Sequence, residues 1–372
     1  MPKRILNKVN FFEPVIGGKE IENIKEVLKI NWPNEGKFTK LFEKKIEKKL
    51  KVKHAVCVTS GTISIFLSLK AIGVTSQDEV IVPDITFGAT AMAVKLSGAK
   101  LVIADIDKES LSFDFQDLKK KINKKTKAII PVHISGRGAN MTLLKRLARK
   151  KRIYLVEDAA EALFSKYKNF FLGTIGDVGC FSLTASKIIT TGQGGIIVTN
   201  NTKIYKKIKL LKNQGVLGQS DGGDVKHITE GYNFKYTNLQ AAMGLAQLDT
   251  LAKRASKLKK NNRLYRSKLK NIKNLKILNF NYSNGEVPLW TDVYVKENRN
   301  ELISFLKKKG IICRKFWYPL HLQKPFKKSN IKFKASSKIY KKLFWLPSSI
   351  NLTEKKINHI CNLIIRFFNK KR

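Results

Sequence analysis

The sequence predicts an α/β fold: a large, mainly parallel sheet covered by helices on both faces, then a smaller C-terminal α+β unit. Two observations predict the sheet. Short apolar runs alternate with helix-period segments from residue 55 to residue 156. Those runs are apolar at successive positions, as strands buried on both faces must be. A third observation sets the scale: 372 residues supply a large core and material for two domains.

Residues 1–17 hold no periodic pattern and read as an N-terminal arm. Ile21–Ile30 has helical spacing through Ile21, Ile24, Val27 and Leu28, and Trp32-Pro33 stops it, because the residue before a proline avoids the helical region. Phe38–Leu50 is a second helix. Strands follow at Ala55–Val58, Glu79–Val82, Leu101–Ala104, Ala128–Val132 and Tyr154–Val156. Between them lie helices marked by Ile65, Phe66, Leu69 and Ile72, by Met92 and Val94, by Leu118–Ile122, and by Leu143–Arg149. Val178–Leu183 and Gly195–Thr199 add strands, and Tyr205–Lys212 adds a helix. Gln219–His227 is polar and glycine-rich and reads as a mobile loop. Thr237-x-x-Gln240 is a capping box that opens a long helix reaching Leu269. Beyond Asn271, strands at Val287–Val295 and Ile311–Trp317 flank a helix at Leu302–Lys309. The last helix puts Ile357, Ile360, Cys361, Ile364 and Ile365 on one face. The division read from this is an arm (1–17), a large domain (18–250), and a linking helix with a small domain (251–372).

Charge is the outlier of the composition. The formal net charge is +45, and 61 of the 73 basic residues are lysine. Readers of nucleic acid lean on arginine interleaved with stacking aromatics. These lysines are scattered along every helix, so no specific nucleic-acid partner is expected. The field they create attracts anionic ligands. Cys57, Cys180, Cys313 and Cys361 lie far apart with no Cys-x-x-Cys pair. No metal site is expected, and reduced, buried cysteines suit a cytoplasmic protein. No apolar run is long enough for membrane insertion.

Chemistry concentrates between Val178 and Ile196, where Lys187 is the only charged residue. A partly desolvated lysine titrates easily and becomes a nucleophile; a lysine whose stem lies along an apolar surface is the plain alternative. In parallel sheets ligands sit beyond the carboxyl ends of strands, and four more candidates fall there. Thr59-Ser60-Gly61-Thr62 offers hydroxyls and free N–H groups at a helix start, as a phosphate needs, although an ordinary cap is the commoner use. Asp158 ends a strand and is able to pair with a cation or cap a helix. Phe87 offers a plate for a flat ring or packs in the core. His133 is more often a structural hydrogen-bonder than a catalyst. Together, a phosphate cradle, an aromatic plate, a carboxylate and a lone lysine are the parts that pyridoxal 5'-phosphate requires.

These motifs resemble the nucleotide-sugar aminotransferases of the DegT/DnrJ/StrS type, perosamine synthases among them. The resemblance runs from about Phe12 to Ile364. Its specific pieces are Ser60-Gly61-Thr62, Asp78–Pro83, Glu157-Asp158-Ala159-Ala160, Phe181-Ser182 with Lys187, Thr190–Gly195, and Gly231-Tyr232-Asn233 with Asn238–Leu248. It implies the fold of aspartate aminotransferase, the fold type I of pyridoxal-phosphate enzymes. It also implies that Lys187 carries the cofactor covalently and shuttles a proton, and that Asp158 pairs with the pyridine nitrogen. Phe87 would stack on the ring, and Ser60, Gly61, Thr62 and Ser182 would hold the phosphate. Asn233 would reach the phosphate of a neighbouring subunit, so a homodimer with shared active sites is implied. Glu161, near the cofactor oxygen, stands where Gln is frequent, and Gln193 where Glu is frequent. Dehydratase relatives carry histidine at the Lys187 position, so lysine implies amino transfer, from glutamate to a keto group of a nucleotide-linked sugar. Arg314–His321 and Leu346–Ser349 resemble members that aminate C4 of a 4-keto-6-deoxy hexose, with Tyr318 and His321, and His133 further back, as candidate substrate contacts. Three rivals are an oxidoreductase, for which Gly136-x-Gly138 and Gly192-x-Gly194 lack the third glycine, a nucleic-acid binder, and a non-catalytic regulator on the same scaffold.

Overall fold

The alternating runs become alternating elements in the computed structural model, which describes residues 8–218, 224–327 and 333–370. Helices α1 (Gly18–Lys29) and α2 (Lys37–Leu50) precede strand β1 (His54–Val58). Helix–strand pairs follow: α3 (Gly61–Ala71) with β2 (Glu79–Pro83), α4 (Gly88–Leu96) with β3 (Lys100–Ala104), α5 (Phe115–Lys121) with β4 (Thr126–Ile129), and α6 (Met141–Lys151) with β5 (Tyr154–Asp158). A short hairpin, β6 (Lys166–Tyr167) and β7 (Phe170–Phe171), leads to β8 (Val178–Ser182), β9 (Gly195–Thr199), α7 (Thr202–Lys212), α8 (Asn238–Asp249) and α9 (Leu251–Leu269). The remainder is β10 (Leu275–Ile277), β11 (Thr291–Val295), α10 (Arg299–Lys308), β12 (Arg314–Lys315), α11 (Ser336–Ile339), β13 (Leu343–Leu346) and α12 (Glu354–Asn369).

The large sheet has seven strands in the order β1-β9-β8-β5-β4-β2-β3. β9 runs antiparallel to both neighbours, β1 and β8, and the remaining pairs are parallel. Side chains alternate between two cores. Val56 and Val58 of β1 face α3, α4 and α7, while Ala55 and Cys57 face α2, α6 and α8. The four-stranded sheet, β10-β11-β13-β12, is antiparallel throughout. It buries its own core against α9, α10 and α12, where Ile357, Ile360, Cys361 and Ile364 form the expected stripe.

Several boundaries depart from expectation for identifiable reasons. β4 stops at Ile129 rather than Val132 because Pro131 has no N–H to donate, and Val132 is left as an isolated bridge to Asp158. The long helix breaks at Thr250 into α8 and α9. Thr250 Oγ1 donates to Gln247 O (3.0 Å) and accepts from Arg254 Nε (2.8 Å), so it ends one helix and begins the next. The capping box at Thr237 and Gln240 forms as read. Of the loop read at Gln219–His227, residues 219–223 lie outside the described residues, and His227 bridges to Val216. Residues 9–12 lie on the small sheet: Val9 pairs with Ile311, and the buried Phe11 ring packs 5.6 Å from Trp290. Cys313 is only half-buried, unlike the other three cysteines.

β8 passes so close to the loop before it that a Cβ on Gly179 would lie 1.8 Å from Gly173 O. Backbone cannot retreat like a side-chain tip, so Gly179→Ala is expected to cost about 3 kcal/mol, the upper end of overpacking. Gly18→Ala, where a Cβ meets nothing within 4 Å, is expected to be neutral or slightly stabilising. Urea midpoints at unchanged slope read both; equal midpoints would refute the close approach.

Candidate active site

β1 and β8 are each antiparallel to β9, hence parallel to one another and to the rest of the sheet. The loops after β1, β2, β4, β5 and β8 therefore emerge at one edge, and every motif read from the sequence at a strand exit lies there.

After β1, Ser60 caps α3 by accepting the Ile63 N–H (3.2 Å), and the Ser64 N–H bonds to Ser60 O (2.9 Å). The N–H groups of Gly61 and Thr62 find no partner among the described residues. Two orphan donors with the positive end of the α3 dipole make an anion cradle. It is pressed tightly together: a Cβ on Gly61 would lie 2.9 Å from Ser182 Cβ, and one on Gly195 would lie 2.2 Å from Ser60 O. Ser182, the last residue of β8, thus flanks the cradle.

Asp158, the last residue of β5, is buried. Its Oδ2 accepts from Thr90 Oγ1 (2.7 Å) and its Oδ1 from the Ala160 N–H (3.1 Å). Burial pushes its carboxyl above the usual range, against the pull of those bonds and of Lys187. Phe87, which precedes α4, is 59% exposed, and its ring lies 5.1 Å from Trp317.

Lys187 lies in the loop between β8 and β9. Its Nζ is 4.0 Å from Glu161 Oε1 and stands 5.1 Å over the Trp290 ring. Burial pushes the amine below the usual lysine range, only partly countered by Glu161 and Asp158. Glu161 is pushed the other way: burial raises it to about 7 despite Lys187 and the Ser135 N–H bonded to Oε2 (2.7 Å). Ser135 sits in the left-handed region at φ 54°, uncommon for a residue with a side chain. Its Oγ donates to Asp292 Oδ1 (2.7 Å), and Asp292 also receives Arg137 Nη2 (2.8 Å) and Trp345 Nε1 (2.7 Å).

Other candidates fall differently. His133 is fully buried. Its Nδ1 accepts the Ala139 N–H (3.2 Å), so its Nε2 donates to Glu157 (2.9 Å), and no ring nitrogen is left for a substrate. His321 is likewise occupied, by Asp84 at Nδ1 (2.6 Å) and Ser337 at Nε2 (3.1 Å), with its ring stacked on Phe333. In both histidines the two ring nitrogens are engaged by protein partners. Tyr318 remains 51% exposed, edge-on to Tyr340. Asn233 is exposed and bridges to Asn213, while its neighbours Tyr232 and Phe234 pack on Phe66 of α3.

Sequence reasoning missed Thr90, Ser135, Asp292, Trp290 and Trp317. The Thr86–Thr90 spacing, four apart at a helix start, is the one local signal among them, and their hydroxyls do meet at 2.8 Å. The rest arrive from distant segments. A separate cavity of about 820 Å³ between α2, α6 and the β6–β7 hairpin is lined by Lys51, Lys145, Arg146, Arg149 and Lys168 and contains none of these site residues.

The donor set fits pyridoxal phosphate: orphan N–H groups for a phosphate, a buried carboxylate, an exposed aromatic face and an amine of lowered pKa share one sheet edge. Structural comparison agrees, and the fold is that of the pyridoxal-phosphate-dependent aminotransferases. PseC of Helicobacter pylori, an aminotransferase involved in the biosynthesis of pseudoaminic acid, superposes with a TM-score of 0.91 at 25% identity, covering 98% of this chain and 100% of that one. Spr1654 of Streptococcus pneumoniae, a sugar aminotransferase candidate solved in its pyridoxamine-phosphate form, gives 0.92 at 26% identity, with 97% and 99% covered. The chain belongs to the DegT/DnrJ/EryC1/StrS aminotransferase family, whose sequence profile matches residues 14–365. It is 35% identical over 367 residues to the GDP-perosamine synthase of Vibrio cholerae (96% of this chain, 98% of that protein). It is 33% identical over 364 residues to that of Escherichia coli O157:H7 (97% and 98%). Among the described residues, no helix is long and apolar enough to cross a membrane.

Glu161 gives the apoprotein a pH signature. Folding raises its carboxyl from 4.5 to about 7, so the folded chain holds an extra proton between those values. The stabilisation is full below pH 4.5 and lost as pH rises to about 7, on the order of 3 kcal/mol. Glu161→Gln should remove this slope, so its stability relative to wild type should climb across that window. A difference in unfolding free energy that stays flat with pH would refute the assignment.

Proposed function

We propose that this aminotransferase moves an amino group from glutamate to the C4 keto group of a nucleotide-linked 4-keto-6-deoxy hexose. The observation that carries the reading is a lone, largely enclosed amine of lowered pKa, Lys187, at the same strand edge as Asp158, Phe87 and the α3 cradle. The GDP-perosamine synthases among its relatives support the nucleotide sugar.

Ser60, Gly61, Thr62 and Ser182 would hold the cofactor phosphate, Asp158 the pyridine nitrogen, and Phe87 a face of the ring. Lys187 would hold the aldehyde, with Glu161 beside it. When bound, pyridoxal phosphate supplies the aldehyde that carries the amino group and the ring that draws electrons from the reacting carbon. Lys187, freed as an amine, takes a proton from the donor carbon and later delivers one to the sugar carbon. Its burial serves this, because a neutral amine is a base and an ammonium is not. Positioned proton transfer of this kind gives roughly 10²- to 10⁴-fold. Tyr318, exposed and next in sequence to Trp317, would be a tail residue meeting the sugar.

The proposed unit is a homodimer. Met92, Leu96, Leu217 and Ile228 are exposed apolar side chains, and Asn233 is exposed and so available to a second copy's phosphate cradle. Residues 18–250 serve as the cofactor-binding domain and residues 251–372 as the linking helix and small domain. Four free cysteines suit work in the cytoplasm.

Purified protein mixed with pyridoxal phosphate is expected to turn yellow and to be bleached by glutamate. Borohydride followed by peptide mapping should tag Lys187, and Lys187→Ala should lose at least about 10²-fold of turnover. A variant that still turned over, or a tag elsewhere, would end the reading. A regulator would bind the cofactor and leave glutamate unconsumed. Offered GDP-, UDP- and dTDP-linked keto hexoses, the enzyme should aminate a 4-keto-6-deoxy sugar; a product aminated at C3 would overturn the regiochemistry.

A further inference from the structure

We propose that Glu161 is the proton-holding partner of Lys187: its free oxygen takes the proton that Lys187 must shed to act as a base, and returns it afterwards. The inference rests on the role proposed for Lys187 above.

Two carboxylates lie near the amine, and geometry separates them. Asp158 has both oxygens engaged, by Thr90 Oγ1 and by the Ala160 N–H. Glu161 has only Oε2 engaged, by the Ser135 N–H. Its Oε1 faces Lys187 Nζ at 4.0 Å, and among the described residues neither atom has a hydrogen-bond partner. Rotation of the long lysine stem closes that gap, and no competing acceptor stands between them, since Nζ otherwise rests over the Trp290 ring.

The carboxyl cannot swing away. Ser135 holds it from a backbone that is itself fixed, through its Oγ on Asp292 and its carbonyl accepting the Leu289 N–H (2.9 Å). The charged groups facing the pair are Asp158 and Asp292. Asp292 is matched by Arg137 (2.8 Å), and His133 lies beyond Asp158 on Glu157. Burial disfavours the charged form of both partners, lowering Lys187 and raising Glu161, so the gap between the ionic and neutral arrangements narrows.

The step balances within the protein. One N–H bond of the Lys187 ammonium breaks and one O–H bond forms on Glu161. The positive and negative charges disappear together, and no outside reagent enters. The pair then titrates as a unit in two steps rather than as two separate residues.

The test uses the full chain stripped of cofactor, with trinitrobenzenesulfonate labelling of Lys187 followed by peptide mass spectrometry across pH. Wild type should label in two steps, because loss of the pair's first proton leaves a fraction of Lys187 neutral beside protonated Glu161. Glu161→Gln keeps an oxygen for the Ser135 N–H but cannot hold the proton. It should lose the first step and label in one. Identical profiles in the two proteins would overturn the proposal. Should that variant fold poorly, infrared titration of wild type decides. A carboxylic-acid band must grow as pH falls through the first labelling step, and its absence overturns the proposal equally. The labelling reads the apoprotein, so failure to consume glutamate would remove the proposed reaction while a two-step profile kept the pairing.

Discussion

Everything at this site depends on where a lysine's charge is made expensive. Two lysines of the chain show the contrast. Lys212 is as buried as any side chain in the molecule, and burial alone would push it down. Glu43 and Glu35 outweigh that penalty, with Glu35 Oε1 at 2.8 Å and Cys57 O at 3.1 Å, and its pKa is raised. Lys212 is a permanent cation that ties α7 to the loop before α2. Lys187, also enclosed, has its nearest carboxylate at 4.0 Å and no hydrogen bond from Nζ among the described residues, and its pKa falls. An ångström or so of separation goes with opposite shifts of the two amines.

That environment is assembled from both sheets. The large sheet contributes Asp158 and Glu161 at the end of β5 and Lys187 after β8. The small sheet contributes Asp292 from β11 and Trp345 from β13, which meet Ser135 in the loop after β4. Trp290, Trp317 and Trp345 pack edge to face with centroids 4.7–5.8 Å apart, and Phe11 closes the cluster from the N-terminal segment. The wall that keeps water from Lys187 is thus the same wall that holds the small sheet onto the large one. The buried Arg137–Asp292 pair joins the loop after β4 to β11 across that junction.

Local pattern carried most of the framework. Every strand of the large sheet was legible as an apolar run, because doubly covered strands leave no polar face to confuse the period. The site's chain-local parts were legible for a related reason: a cap, a strand-end acid and a lone lysine are each defined by their neighbours in sequence. What failed was anything defined by partners in space. Pro131 shortened β4, and Thr250 split a helix whose hydrophobic period continued across it. The strands β10 and β13 and the two-residue β6 and β7 were too short or too uniformly apolar to register. The acids that orient His133 and His321, Glu157 and Asp84, lie 24 and 237 residues away and gave no local signal. Ser135 gave no sign at all, since its left-handed backbone is imposed by Glu161, Leu289 and Asp292.

The charge of the chain takes on a different meaning once burial is considered. A net charge of +45 describes the exterior, where most lysines are solvated. The interior beneath the strand exits has the opposite sign: Glu157, Asp158, Glu161 and Asp292 are all at most 7% exposed and gather within one junction. Acids are scarce in this sequence, and here they are concentrated. A positive exterior attracts anions from every side. The acids beneath it surround Lys187 with groups able to hold a proton and largely shielded from solvent. Specific acid placement, rather than the lysine excess, is what makes a single lysine among 61 chemically distinct.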